Sequence, residues 1–179
     1  SSQFPQPYPT DQTCRSVCAC SEVGEAVAVG CVSLGASYHQ WRYTMLVTFD
    51  FDDTLTHSIA TWDEDGCLED SRFAGPNPLF IQVLRTCVQN GDEVRVVTSR
   101  SKKLEKDTLE KLSEFGVLHL LAGVHHTDGE WKAAWMLENG LNPTKHFDDD
   151  RLELDEIEKV FPKCQTIKVP MHPSWNGVE

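Results

Sequence analysis

Apolar segments typical of strands alternate with amphipathic segments typical of helices from Met45 onward. The strand-like segments are 45–49, 94–97, 117–121 and 166–169, and the helix-like segments are 78–90, 101–115, 129–139 and 152–160. Strands that alternate with helices of this length form a mostly parallel sheet with helices on both faces. The sequence therefore predicts an α/β three-layer sandwich over residues 45–179, preceded by an arm and possible β-hairpin over 1–44.

Local signals give two further expectations about the helices. Asn77 followed by Pro78 is a favourable helix start, and Asp128 is suitably placed to cap the helix over 129–139. In the helix over 101–115, helical spacing predicts four inward-facing apolar side chains, namely Leu104, Leu109, Leu112 and Phe115.

Charged and hydroxyl side chains follow the ends of strands or begin helices at several places. They are Asp50, Asp52 and Asp53; Thr98, Ser99 and Arg100; Lys132; and Asp148, Asp149 and Asp150. Ligands of parallel sheets bind at the carboxyl ends of the strands, so we expect these side chains to converge. Converging carboxylates need a hard cation, and all-oxygen ligands favour Mg²⁺. With a hydroxyl and an ammonium group to bind an anion, the set describes a phosphoryl-transfer site.

The order of DxDxT after a strand, Thr-Ser after a second strand, a Lys, and an acidic pair resembles the haloacid dehalogenase superfamily. That resemblance covers residues 45–170 and implies a Rossmann-like fold and phosphatase chemistry. It implies that Asp50 is the nucleophile that becomes an aspartyl-phosphate and that Asp52 is the general acid and base. Thr98 would then hold a phosphoryl oxygen and Lys132 would neutralise charge. The candidate substrate-binding residues are Thr54, Ser99 and Arg100.

The same resemblance implies a Mg²⁺ ion held by the Asp50 side chain, the Asp52 backbone carbonyl and an acid of the last cluster. Alignment on the preceding apolar run favours Asp148 and Asp149, whereas alignment on Asp-Asp-Arg favours Asp149 and Asp150. Asp149 is the first choice because it is common to both alignments. Asp53 departs from the family pattern, which usually has a small residue, often Gly, at this position.

The substrate is inferred from the short insertion after Thr54. Residues 55–76 suffice for a small flap and are too few for a cap domain, so an open site for bulky substrates is expected. The tripeptides Thr-Ser-Arg and Asp-Asp-Arg also resemble the phosphatase module of polynucleotide kinase–phosphatase and RNA-repair enzymes, which suggests a polynucleotide 5′- or 3′-phosphate end. A phosphoprotein or small-metabolite phosphatase is an alternative. A non-catalytic interaction module is a second alternative, which the intact pair of Asp50 and Asp52 argues against.

Composition bounds the partners and the compartment. The net charge of −12 opposes broad attraction to nucleic-acid phosphates, although it leaves room for a local basic groove. No apolar run approaches the ~20 residues of a membrane helix, and the amino-terminal residues carry no signal-like apolar core. We therefore expect an intracellular, reducing location, a phosphorylated substrate as partner and no membrane partner.

Four of the seven cysteines crowd the N-terminal segment. Cys14, Cys18, Cys20 and Cys31 could hold a structural Zn²⁺, although their spacing is not that of a standard zinc knuckle. The alternative is a set of free thiols, which an odd cysteine count without a signal peptide favours.

Overall fold

A computed structural model describes residues 44–63 and 68–176. The predicted arm and hairpin over 1–44 lie outside the described residues, apart from Thr44 itself. The four cysteines of the predicted zinc site, Cys14, Cys18, Cys20 and Cys31, also lie outside them. The arm, the domain boundary and the zinc site therefore stay predictions.

Seven strands are present in the described part of the chain. They are β1 (Leu46–Phe49), β2 (Thr56–Trp62), β3 (Leu68–Pro76), β4 (Glu93–Thr98), β5 (Gly123–His126), β6 (Lys145–Asp148) and β7 (Gln165–Lys168). Five of them form a parallel sheet in the order β5-β4-β1-β6-β7, so that β1 lies at the centre. The other two, β2 and β3, pair as an antiparallel hairpin directly after the first acidic motif.

The helices are α1 (Pro78–Gln89), α2 (Glu105–Glu114), α3 (Lys132–Glu138) and α4 (Arg151–Val160). Two hydrophobic clusters lie against the sheet, one containing side chains of α1 and α2 and the other containing side chains of α3 and α4. Successive residues of β4 divide between them, since Val96 belongs to the first cluster and Val97 to the second. Consecutive strand residues point to opposite faces, so the sheet is covered on both faces. The predicted α/β sandwich is confirmed.

The prediction of a strand over 117–121 is wrong. Residues Leu118–Leu120 form a 3-10 turn, and the edge strand β5 begins only at Gly123. The chain leaves α2 through Gly116, whose φ is +64°, and the backbone N–H of Val117 then donates to the carbonyl of Leu112. The apolar side chains of this segment still pack on the core, but they do so from a 3-10 turn that follows α2 and not from a strand. The apolar character of residues 117–121 therefore did not distinguish a strand from a turn that packs on the core.

Two predictions about helix details are also wrong. Leu104 is 46% exposed because it ends a 3-10 turn, Lys102–Leu104, that precedes α2, whereas Leu112 is fully buried as predicted. Asp128 does not cap α3: it has a φ of +59° in the preceding loop, and its carboxylate accepts a hydrogen bond from the backbone N–H of Lys102. The cap position of α3 is Trp131, which makes no side-chain cap bond.

Within the described residues, every helix is too short or too polar to cross a lipid bilayer.

Candidate active site

The carboxyl end of the central strand positions Asp50. Its backbone N–H donates to the carbonyl of Phe147 at 2.9 Å, which extends the pairing of β1 with β6 by one residue and fixes where the side chain emerges. The chain then turns tightly, with the backbone N–H groups of Leu55 and Thr56 both donating to the Phe51 carbonyl. Asp50 is consequently almost fully buried at the floor of a cleft.

Asp53 occupies the left-handed backbone conformation that this turn requires, with a φ of +52°. Glycine adopts this conformation without strain, and Asp is among the few other residues that tolerate it. The Asp53 carboxylate also accepts a hydrogen bond of 2.8 Å from the backbone N–H of Ser58 at the start of the hairpin. Asp53 thus meets the conformational demand of this turn.

Lys132 joins two carboxylates from different strands. Its Nζ lies 2.7 Å from Asp50 Oδ1 and 2.6 Å from Asp148 Oδ2, and its side chain is only 4% exposed. Burial alone would lower the pKa of Lys132, but the two carboxylates outweigh burial and raise it. Burial raises the pKa of Asp50 well above its usual value, although Lys132 opposes this effect. The ammonium group is therefore held charged next to the candidate nucleophile.

His146 supports Asp148 from within the sheet. Burial lowers its pKa, so the ring is neutral, and its Nε2 donates to Asp148 Oδ2 at 3.0 Å. Its Nδ1 then accepts from the Thr48 hydroxyl at 2.7 Å. Burial raises the pKa of Asp148, but the bonds from His146 and Lys132 outweigh it and lower this pKa to about 2. The sequence interpretation missed His146, although its alternation with Asp148 along β6 places both side chains on one face.

Three carboxylates converge in the way that a metal site requires. Asp50, Asp148 and Asp149 each offer an oxygen, and these oxygens all lie within 4.8 Å of one another. Burial, together with the negative charges of Asp148 and Asp53, raises the pKa of Asp149 to about 7. Three carboxylates that share one ammonium group, that of Lys132, form an all-oxygen set that fits a hard divalent cation such as Mg²⁺.

Asp150, the third acid of the run over 148–150, is not part of this group of three carboxylates. Asp150 is exposed, and its carboxylate accepts from the backbone N–H of Leu152 at 2.8 Å, so it caps α4. Thr54 lies on the other side of the acid cluster, where its hydroxyl is 3.5 Å from Asp149 Oδ1. The geometry thus groups Asp148 and Asp149 with Asp50, as in the first of the two sequence alignments.

Thr98 ends β4 and Ser99 follows it, and both residues line the cleft. Thr98 is buried, and its hydroxyl oxygen accepts a bond from the backbone N–H of Arg100 at 3.3 Å. Ser99 donates to Glu153 Oε1 at 3.3 Å, while Glu153 Oε2 accepts from the backbone N–H of Lys132 at 3.2 Å. Glu153 therefore connects β4, α3 and α4 around the site.

Glu153 is a site residue that the sequence interpretation missed. It lines the cleft, and burial raises its pKa. The available signal was its place in the first turn of α4, three residues after the cap residue Asp150.

Arg100 lies against Asp52. Its Nε and Nη2 donate to the two carboxylate oxygens of Asp52 at 2.8 and 2.9 Å, in a bidentate pair. Burial opposes the charged form of Arg100, but the bonds to Asp52 and Asp107 outweigh it and raise the pKa of Arg100.

The cleft itself has a volume of about 180 Å³. Its lining includes most of the predicted site and the residue that was missed: Asp50, Asp52, Asp53, Thr98, Ser99, Lys132, Asp148, Asp149, Asp150 and Glu153. Acids, hydroxyls and one buried cation thus surround a space large enough for a phosphoryl group.

Comparison with known proteins gives matches only at the level of structure. No protein-family profile and no curated protein sequence matches the chain. The N-terminal part of the protein BF1531 from Bacteroides fragilis, described as containing a phosphatase domain complexed with Mg, aligns with a TM-score of 0.52 and 16% identity. The alignment covers 75% of this chain and 38% of that chain. The likeness supports the predicted Rossmann-like α/β fold.

Two further solved structures align with lower TM-scores, and no conclusion rests on them. The hypothetical protein XCC2798 from Xanthomonas campestris gives a TM-score of 0.43 and 23% identity, over 76% of this chain and 70% of that chain. A putative 3-deoxy-D-manno-octulosonate 8-phosphate phosphatase from Vibrio cholerae gives 0.39 and 15%, over 65% and 62%. The narrower resemblance to polynucleotide kinase–phosphatase stays a prediction.

Proposed function

We propose that the chain is a Mg²⁺-dependent phosphomonoester hydrolase that forms an aspartyl-phosphate on Asp50. The observation that carries the proposal is the position of Lys132, whose buried ammonium group contacts Asp50 and Asp148 at the floor of the cleft. Asp149 completes an all-oxygen cluster beside them, and Thr98, which also lines the cleft, supplies a hydroxyl. Carboxylate nucleophile, fixed cation and hydroxyl donor are the components that phosphoryl transfer needs.

In the first half-reaction, an Asp50 carboxylate oxygen attacks phosphorus as the bond from phosphorus to the ester oxygen breaks. Asp52 in its protonated form gives its proton to that leaving oxygen, so an alcohol departs. In the second half-reaction, Asp52 takes a proton from water, and the water oxygen attacks the phosphorus of the aspartyl-phosphate. The bond to Asp50 breaks, and inorganic phosphate is released with both carboxyl groups restored.

The charges around the cleft suit these steps. Lys132 is held beside Asp50 and would counter the negative charge of the phosphoryl oxygens, while the Thr98 hydroxyl would donate to one of them. Mg²⁺ would be held by carboxylates of Asp50, Asp148 and Asp149 with the Asp52 carbonyl, and would supply further charge neutralisation when bound.

A polynucleotide phosphate end is the substrate class that we propose. Among the described residues, the insertion after Thr54 is the β2–β3 hairpin, which supports an open site rather than one sealed by a cap domain. A groove of about 540 Å³ along α2 is lined by Lys102, Lys103 and Lys106 together with two glutamates. In a chain with a net charge of −12, this local group of lysines is a surface that would attract a polyanion.

Hydrolysis of p-nitrophenyl phosphate by purified protein, with Mg²⁺ and with EDTA, tests the reaction. We expect activity only with Mg²⁺, and a loss of at least about a thousandfold in Asp50→Asn, because covalent catalysis needs the carboxylate. Asp155→Asn is the matched control, since it makes the same change at a 41% exposed side chain of α4 that does not line the cleft. Activity in EDTA, or an active Asp50→Asn variant, would contradict the mechanism.

A second panel tests the substrate class. Oligonucleotides with 5′- or 3′-phosphates, phosphopeptides and sugar phosphates would be compared by kcat/KM at fixed ionic strength. A preference for either oligonucleotide supports the proposal, and a preference for a phosphopeptide or sugar phosphate replaces it with the corresponding alternative.

A further inference from the structure

The guanidinium group of Arg100 is almost fully occupied by protein. Its Nε and Nη2 donate to Asp52, while its Nη1 donates to Asp107 Oδ2 at 2.8 Å and approaches the Thr108 hydroxyl at 3.4 Å. A guanidinium group has five N–H bonds, and these four contacts leave one N–H, on Nη2. The guanidinium edge that would bind a phosphate through two parallel hydrogen bonds is therefore already bonded to Asp52.

Arg100 is also the more firmly held member of this pair. Its side chain is 17% exposed, whereas that of Asp52 is 45% exposed. The guanidinium carbon lies 4.7 Å from the centre of the Phe51 ring, a cation–π contact that fixes one face. On the far side Asp107 is itself bonded to Lys111 at 3.0 Å. Besides Asp52, three residues contact the Arg100 guanidinium group, namely Asp107, Thr108 and Phe51, whereas the hydrogen bonds described for the Asp52 side chain come from Arg100.

Building on the proposed phosphatase function, we propose that Arg100 is a positioning residue for Asp52 and not a ligand of the substrate phosphate. The bidentate pair fixes both the position and the plane of a half-exposed carboxylate, which must meet the leaving oxygen and then a water molecule. Asp107, a residue of α2, contributes to the same positioning because it accepts a hydrogen bond from the guanidinium group. This role differs from the phosphate contact that the sequence predicts for Arg100.

A positioning role and a phosphate-binding role for Arg100 predict different kinetic effects when Arg100 is substituted. Loss of a positioning contact misplaces the acid and base, so kcat falls while the affinity for phosphate is kept. Loss of a phosphate ligand weakens phosphate and substrate binding. Arg100→Lys keeps the charge but cannot form the bidentate pair, so it separates the two roles.

The experiment measures kcat and KM with p-nitrophenyl phosphate, and the inhibition constant of inorganic phosphate, for wild type and three variants. We expect Arg100→Lys to lower kcat by about 10- to 100-fold and Asp107→Asn by a smaller factor, each with KM and the phosphate constant within about twofold. Arg95→Lys is the control, since Arg95 is an ion-paired arginine within β4 whose side chain is 24% exposed, and it should leave all values unchanged.

Two further measurements make the result decisive. In an Asp52→Asn background, Arg100→Lys should add less than about a twofold loss, because its effect passes through Asp52. Circular dichroism and thermal melts check folding, and Asp107→Asn, on the exposed side of the pair, carries the test if Arg100→Lys does not fold.

Three outcomes overturn the positioning role. A tenfold or greater rise in KM or in the phosphate constant for Arg100→Lys assigns Arg100 to phosphate binding and leaves the proposed function intact. An undiminished effect of Arg100→Lys in the Asp52→Asn background removes the link to Asp52. An inactive wild-type protein rejects the phosphatase function, and the positioning role with it.

Discussion

The ammonium group of Lys132 lies 2.7 Å from a carboxylate oxygen of Asp50, although 82 positions separate the two residues in the chain. Both side chains are nearly inaccessible to solvent, and the same ammonium group also contacts Asp148. The pair therefore joins the central strand, the start of α3 and the end of β6 at one buried point.

Lys132→Met should destabilise the protein and abolish activity. Removing one partner of a buried ion pair typically costs about 3 to 5 kcal/mol, because the remaining charge is left without compensation. The free energy of unfolding in urea, measured in EDTA, tests this expectation. Lys159→Met is the control, since Lys159 is 66% exposed and should contribute little. Equal stabilities of the two variants would count against the buried pair as a structural feature.

Mg²⁺ should raise the melting temperature of the wild-type protein, because a cation relieves the repulsion among Asp50, Asp148 and Asp149. Asp149→Asn should lose most of this rise, whereas Asp150→Asn should keep it, because Asp150 caps α4 outside the cluster. Differential scanning fluorimetry across a Mg²⁺ titration makes the comparison. The metal assignment is wrong if the two variants respond alike.

Substitutions of Asp53 should show that the turn requires a left-handed backbone conformation at this position. Asp53→Ala and Asp53→Gly both lose the bond to Ser58, but only the Ala variant keeps a Cβ at a φ of +52°, so it should be less stable than Asp53→Gly by about 1 kcal/mol. Asp53→Gly should keep near wild-type kcat, since glycine adopts this conformation freely. Chemical denaturation of the three proteins gives the order of stability, and an Ala variant as stable as the Gly variant would refute the argument.

Glu153→Gln should lower kcat/KM by about tenfold and stability by about 1 to 3 kcal/mol, because a neutral amide replaces a carboxylate that accepts from Ser99 and from the Lys132 backbone. Glu156→Gln is the matched control on the same helix, where the side chain is exposed and pairs only with Lys159 among the ion pairs described. Kinetics and urea unfolding of both variants test the prediction. Matching values for the two would remove Glu153 from the site.

The fold and the core of the site could be predicted largely from the sequence. The alternation of apolar strands and amphipathic helices determined a parallel α/β sheet, because only that arrangement buries both faces of such strands. The same reasoning placed Asp50, Thr98 and Lys132 in one cleft, since the carboxyl ends of parallel strands share one edge. Local sequence was less informative where apolar residues pack from a turn, as Leu118 and Leu120 do.

Only the tertiary structure decided which charged groups meet. The chain by itself favoured Asp149 and left Asp148 and Asp150 as alternatives beside it, and the start of α4 assigned Asp150 to a helix cap. Arg100 pairs with Asp52, and Glu153 reaches Ser99, across gaps of 48 and 54 positions that no local pattern encodes. Such contacts depend on strand order, register and helix orientation together, whereas the residues that follow each strand can be read directly from the chain.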